Sequence, residues 1–429
     1  MHPHLWYPYT QAKTALSPLK VKSAQGIWLE LEDGRQIIDC ISSWWVNLHG
    51  HAHPHIAEAI YQQAKTLEQV IFAGFTHDPA EQLAERLLQH LPANLNRVFY
   101  SDNGSTAVEV ALKMAYQHWV NLGQKRTTFI AFEGAYHGDT VGTMAVGGRS
   151  IFSQVFADWL FNVEFLPFPA TYMGDETVES QEKQTIDQLR ATLQQSADSY
   201  AGIIIEPLIQ GAGGMRMCRA AFLQQLRAVA TEFNIMLIFD EVMTGFGRTG
   251  DWFACIKANV QPDIICLSKG ITGGFLPLAV TICTEEIYQS FYSDDPLKTL
   301  YHGHSYTANP LGCAAGLASL DLMVANESRF KSLEAKHIQH LAALQQQPQL
   351  HRFRVTGTIA AMELLTSKQP GYLNQVSLTI RKQALEHRLL LRPLGDVLYL
   401  MPPYCITDQE LALVYQAIAE ILATLETAL

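Results

Sequence analysis

The chain has 429 residues, enough for two or three structural domains or one large α/β body with an appendage, and 48% of them are hydrophobic, which supports a large buried core. With 30 Lys+Arg against 41 Asp+Glu the formal charge is −11, which argues against a general nucleic-acid or acidic-membrane binder. Seven scattered cysteines without a CxxC pair fit reduced thiols in a cytoplasmic protein, the N-terminus MHPHLWYPYT lacks the parts of a secretory signal, and no run approaches the ~20 apolar residues of a membrane span.

From the N-terminus, GIWLELEDGRQIIDCIS alternates apolar and polar residues and predicts a small β-meander around Asp33-Gly34. His49, His51, His53 and His55 alternate in HGHAHPH, which on an extended strand would line one face as a zinc site does. Pro54 breaks the strand and no Cys or carboxylate clusters nearby, so the segment reads as a turn entering a helix and no metal is expected. IAEAIYQQAKTLEQV and PAEQLAERLLQHL have helical apolar spacing; RVFYS is a strand, NGST a turn and AVEVALKMAYQHWV a helix. Residues 171–199 are polar and predict a surface insertion with a helix. TFIAFE, GIIIEP, IMLIFD, DIICLSK and LAVTICT are further short strands. Apolar strands alternating with helices predict a mainly parallel sheet covered on both faces. Residues 285–310 are irregular and aromatic-rich; a long helical stretch follows Leu311, then two or three strands and closing helices.

Lys269 stands after the strand-like IICLS and before Gly270, Gly273 and Gly274, and Asp240 ends the apolar strand IMLIFD. A lysine moved toward an apolar site loses proton affinity and becomes a nucleophilic amine. An ionised acid beyond a strand's carboxyl end suits a pyridine N–H. Together they suit pyridoxal 5'-phosphate (PLP), whose aldehyde the lysine captures and whose ring nitrogen the acid keeps protonated. Val242 is placed to pack on the ring face. Asn103-Gly104-Ser105-Thr106, between a strand and a helix, reads as an ordinary turn and N-cap or as a phosphate cup at a helix N-terminus. Tyr136, in Tyr136-His137-Gly138, reads as a ring-stacking aromatic or a core residue, and Glu206 as an acid behind the ring or a strand-end cap. The loop His302–Gly312 can complete a phosphate site across a dimer interface. Trp6, Tyr7, Tyr9, Trp44 and Trp45 form an aromatic N-terminal region suited to wall an apolar-substrate cavity, and Arg392 is a candidate clamp for a substrate carboxylate.

In order along nearly the whole chain, SDNGSTAVEVALKMA, AYHGDTVG, IIIEPLIQGAGGM, LIFDEVMTGFGRTG, LSKGITGG and SYTANPLG resemble the class III, fold-type I PLP-dependent aminotransferases. That resemblance implies an α/β fold: a large PLP-binding domain over residues 49–310 with a mostly parallel seven-stranded sheet, and a small α+β domain from residues 1–48 and 311–429. It implies a homodimer with the site at its interface. Lys269 would bind PLP covalently, Asp240 meet the ring nitrogen, Gly104 and Ser105 the phosphate, and Tyr136 stack on the ring. Tyr9, Trp44, Trp45 and Tyr136 would line the substrate cavity and Arg392 meet the substrate carboxylate, with Arg248 and Tyr399 carried over to the same cavity. Ser305 stands where relatives have a threonine that reaches the neighbouring subunit's phosphate. WYPYTQ, DCISSWWVNLHGHAHP and RPLGDVLYLMPPY resemble the branch of the family in biotin synthesis. For that branch the amino acceptor is 8-amino-7-oxononanoate, and the donor S-adenosylmethionine or, in some relatives, lysine. The rivals are class III aminotransferases of ornithine, 4-aminobutyrate or diamines, a PLP aminomutase or racemase, and a PLP-binding sensor.

Overall fold

The structure, a computed structural model, describes residues 2–365 and 376–425. Its centre is a seven-stranded sheet in the order Leu95–Ser101, Ala279–Thr284, Ile264–Leu267, Met236–Asp240, Tyr200–Ile205, Thr128–Phe132 and Val163–Leu166. Six strands run the same way; Ala279–Thr284 is antiparallel to both its neighbours. The three middle strands are buried at every position, which is why their sequences are continuous apolar runs rather than alternating ones.

The period of two survives in which face each side chain serves. Ile204, Ile238 and Ile264 join Val108, Ala111 and Ala115 of the helix Gly104–Asn121. Ile203, Ile205, Leu237 and Phe239 point the other way, into a core with Phe222, Leu226 and Val229 of the helix Ala220–Glu232. Each such side chain contributes about 1.5–3 kcal/mol on burial. The sheet thereby becomes a rigid floor whose parallel strands end along one edge.

The N-terminal meander forms as Val21–Gln25, Trp28–Leu31 and Gln36–Asp39, with the Asp33 carboxylate accepting from Arg35 N at 3.1 Å in the turn. Its last strand pairs in parallel with Leu389–Leu390, so both ends of the chain share one sheet. A third, antiparallel sheet consists of Leu350–Thr356, Ile359–Leu364 and Val397–Leu400.

Some elements differ from the pattern-based expectation. The helix after the histidines is Pro54–Ala64, shorter than expected because only Ile56 is buried on it. The helix expected from Ala107 begins at Gly104, drawn back by the reciprocal Asn103–Thr106 capping pair. The edge strand Val163–Leu166 is short, partly exposed and carries Glu164, so alternation did not reveal it. Residues 285–310 contain a short helix, Glu285–Gln289, where irregular chain was expected. The four histidines do not share a face: His49 meets Ser319, His51 meets Asp39, His53 caps the helix and His55 meets Asp321. Among the described residues no helix is long and apolar enough to cross a membrane.

Candidate active site

Above the carboxyl edge of the large sheet lies a cavity of about 570 Å³. Lys269 enters it from the first position after the strand Ile264–Leu267 and Ser268, with a φ of +46°. A non-glycine residue in this left-handed region costs about 1–2 kcal/mol. The conformation is held from behind, where Ser268 Oγ donates to Leu278 O at 2.9 Å. Lys269 borders the cavity but is otherwise surrounded by protein. Desolvation therefore lowers its ammonium below the ordinary lysine range, against the opposing pull of the Asp240 and Glu206 charges.

Asp240 is buried at the end of its strand, with Oδ2 at 2.7 Å from His137 Nδ1 and Oδ1 accepting from Val242 N at 3.1 Å. Burial disfavours charge on His137, yet the Asp240 hydrogen bond and charge, helped by Glu206, raise the imidazole above its ordinary value. His137 Nε2 finds no partner among the described residues. Glu206 follows the strand Tyr200–Ile205 and braces the cavity wall: its two oxygens accept from Tyr136 N and Gly211 N, each at 3.0 Å. Burial pushes its carboxyl up to about 7.

The helix Gly104–Asn121 points its N-terminus at the cavity. A Cβ on Gly104 would stand 2.6 Å from Val242 Cγ1, so only glycine brings the backbone this close to the Asp240 loop. A Cβ on Gly138 would overlap the Ser105 hydroxyl. Ser105 Oγ accepts from Asp139 N at 3.1 Å, which leaves its proton to donate. Backbone N–H groups, a helix dipole and a hydroxyl donor thus converge as a phosphate would need, and the residues fit a phosphorylated pyridine aldehyde. Tyr136 Oη lies 3.1 Å from Tyr9 Oη, which in turn donates to the Asp139 carboxylate. Burial, then Tyr9 and Asp139, raise the Tyr136 phenol, so it stays protonated.

The far end of the cavity is aromatic. The Arg392 guanidinium carbon sits 4.8 Å from the Trp44 ring centre, and Tyr9 packs against Trp44 at 5.7 Å. Trp45 lies 5.2 Å from Lys269 Nζ and its Nε1 donates to Tyr399 Oη at 2.9 Å. The structure therefore brings Tyr9, Trp44, Trp45, Gly104, Ser105, Tyr136, Glu206, Asp240, Val242, Lys269, Arg392 and Tyr399 to one cavity.

Four expected residues are not among its lining: Trp6, which is 97% exposed, Tyr7, Arg248 and Ser305. Arg248 is fully buried behind it, where the guanidinium donates to Asn47 O at 3.0 Å and to Trp45 O and Pro402 O, each at 3.3 Å. Its hydrogen bonds go to backbone carbonyls, so it holds the Trp45 segment rather than meeting a substrate. Ser305 is exposed and outside the cavity of its own chain, its carbonyl accepting from Gln69 Nε2 at 2.8 Å. Sequence reasoning missed the roles of His137 and Asp139; their only signal was their place beside Tyr136 after a strand end. It also missed Phe152, Ala212 and Leu394, whose apolar side chains line the cavity but carry no motif.

A lysine just past one strand, a buried acid ending the neighbouring strand and a helix N-terminus, all at one cavity over a mostly parallel sheet, match the layout of fold-type I aminotransferases. The chain belongs to the aminotransferase class-III family, whose model matches residues 9–422. Over 421 residues it is 60% identical to the adenosylmethionine-8-amino-7-oxononanoate aminotransferase of Synechococcus elongatus, covering 98% of this chain and 99% of that one. The crystal structure of the adenosylmethionine-8-amino-7-oxononanoate aminotransferase from Methanocaldococcus jannaschii superposes with a TM-score of 0.91 at 34% identity, over 98% and 97% of the two chains. An amine transaminase from an uncultivated Pseudomonas species, solved in its PLP-bound form, superposes with a TM-score of 0.91 at 30% identity, over 99% of each chain.

Proposed function

We propose that this protein uses PLP to move the amino group of S-adenosylmethionine onto 8-amino-7-oxononanoate, yielding 7,8-diaminononanoate in biotin synthesis. The observation that carries this reading is a single cavity with an amine of lowered basicity, Lys269, beside Asp240 and a guanidinium, Arg392, seated on an aromatic wall. The relative at 60% identity supports the choice of substrates, and its name favours S-adenosylmethionine over lysine as donor.

When bound, PLP supplies an electrophilic carbon for amines and a ring that takes up charge. The chain's own residues do the rest. Lys269 Nζ removes the proton from the donor's amino-bearing carbon and later returns a proton to the acceptor's. Asp240 would keep a proton on the ring nitrogen, and His137, 2.7 Å from its Oδ2, orients that carboxylate. Gly104 and Ser105 would hold the phosphate, and Tyr136 and Val242 would pack against the ring. Glu206 fixes Tyr136 through its backbone. Tyr9, Trp44, Trp45 and Tyr399 exclude water around the acceptor's alkyl chain, and Arg392 takes its carboxylate. We further propose a homodimer in which Ser305 serves the neighbouring copy's phosphate site. All seven cysteines are free thiols, which supports a cytoplasmic location.

The test is to incubate PLP-loaded protein with 8-amino-7-oxononanoate and either S-adenosylmethionine or lysine, then weigh the products by mass spectrometry. The expected product is 7,8-diaminononanoate with S-adenosylmethionine. Its absence, with turnover of ornithine or 4-aminobutyrate instead, overturns the reading.

A further inference from the structure

Three of the four residues in the turn Ser42–Trp45 have positive φ: Ser42 at +51°, Ser43 at +59° with ψ −89°, and Trp45 at +67°. None is glycine, so the turn is strained and something must hold it. Asp39 does so from outside the cavity. It is fully buried; Oδ1 accepts from Ile41 N at 3.1 Å, and Oδ2 accepts from Ser43 Oγ at 2.9 Å and lies 2.9 Å from His51 Nε2. The turn's far side carries the aromatic wall, with Trp44 under Arg392 and Trp45 beside Lys269.

We propose that Asp39, with His51 as its partner, is a positioning residue. It holds the strained turn so that Trp44 seats the Arg392 guanidinium, and it thereby sets affinity for the amino acceptor. This rests on the reading that Arg392 meets the acceptor's carboxylate. A short turn with three positive φ values, tied by a buried carboxylate at Ile41 and Ser43 and bearing two cavity walls, is what such a device requires.

The test uses PLP-loaded Asp39→Asn, with His51→Gln as a second variant on the same carboxylate oxygen should the first not fold. The acceptor KM should rise about tenfold while the rate of the donor half-reaction changes by less than about twofold. In an Arg392→Ala background, Asp39→Asn should add less than about twofold to the acceptor KM, because the effect runs through that guanidinium. Trp44 emission, taken as the difference from Trp44→Phe, should shift in Asp39→Asn whatever substrate the cavity accepts. Equal losses in both half-reactions, or unshifted emission, overturn the proposal. A shifted emission with an acceptor KM that Arg392→Ala leaves untouched would instead remove the carboxylate-clamp reading and keep Asp39 as the turn's support.

Discussion

Lys269 and the buried glutamates Glu206 and Glu241 respond to burial in opposite senses, and both responses are measurable. For Lys269 the prediction is loss of the reaction without loss of the fold. Lys269→Ala removes the only side chain here proposed to move the substrate proton, so amino transfer should fall by at least about 10⁴-fold. Its far-UV circular dichroism should match that of the parent, and near-normal turnover would remove Lys269 from its role. For the acids the prediction concerns pH. Burial places Glu206 at about 7 against an ordinary value of 4.5, and does the same to Glu241, whose oxygens accept from Ala254 N and Cys255 N at 2.6 and 2.7 Å. Between 4.5 and 7 the folded chain keeps protons that the unfolded chain has released. Folding stability from these two groups is therefore full below 4.5 and lost as pH rises through about 7, by of order 3 kcal/mol each. Infrared spectra of the PLP-free protein should show protonated carboxyl bands at about pH 5.5 that vanish by about pH 8. Each band should be absent from Glu206→Gln or Glu241→Gln respectively. Ionised carboxylates at the lower pH would show that burial does not dominate them.

Elements around the cavity are locked by close crossings, and one of them joins the loop after Asp240 to the C-terminal sheet. The turn between Leu350–Thr356 and Ile359–Leu364 contains Gly357 at φ +55°, and a Cβ there would overlap the backbone of Arg248, Thr249 and Gly250. Backbone cannot step aside as a side chain can, and alanine disfavours this φ besides. Gly357→Ala should therefore destabilise the protein by about 2–4 kcal/mol in denaturant titration. A loss under about 0.5 kcal/mol would mean that the crossing relaxes freely. No sequence pattern announced this contact, because Gly250 and Gly357 are distant in the chain and each reads alone as a turn glycine. The buried strands were legible, since a fully covered parallel sheet forces long apolar runs such as IMLIFD and GIIIEP. The edge strand Val163–Leu166 was not, because one exposed side lets polar residues in. Within the cavity, Lys269, Asp240 and the Asn103–Thr106 cup stood out because chemistry restricts residue type there. Arg248 misled for a complementary reason: an arginine in a motif looks like a ligand clamp, and only packing reveals that its guanidinium is buried outside the cavity and donates to backbone carbonyls.

At the scale of the whole molecule the prediction is that one chain does not complete its own site. Ser305 lies outside the cavity of its own chain, so a phosphate-binding role for it requires a second copy. Subunit mixing decides this. Suppose Lys269→Ala and Ser305→Asp, the latter placing a negative charge where a phosphate is expected, each inactivate their own homodimers. In a mixed dimer with Ser305 acting across the interface, one site combines the defective lysine with the added charge and is dead. The other combines an intact Lys269 with an intact Ser305 and works. Equimolar mixing followed by subunit exchange makes half the dimers mixed, each with one working site, so about one quarter of the parent activity should return. If Ser305 acted within its own chain, every site in the mixture would keep one defect and nothing would return. The experiment needs exchange of subunits, which sedimentation of differently tagged copies can follow independently. Exchange without recovery of activity would therefore count against the shared site, and failure to form any dimer would count against the homodimer itself.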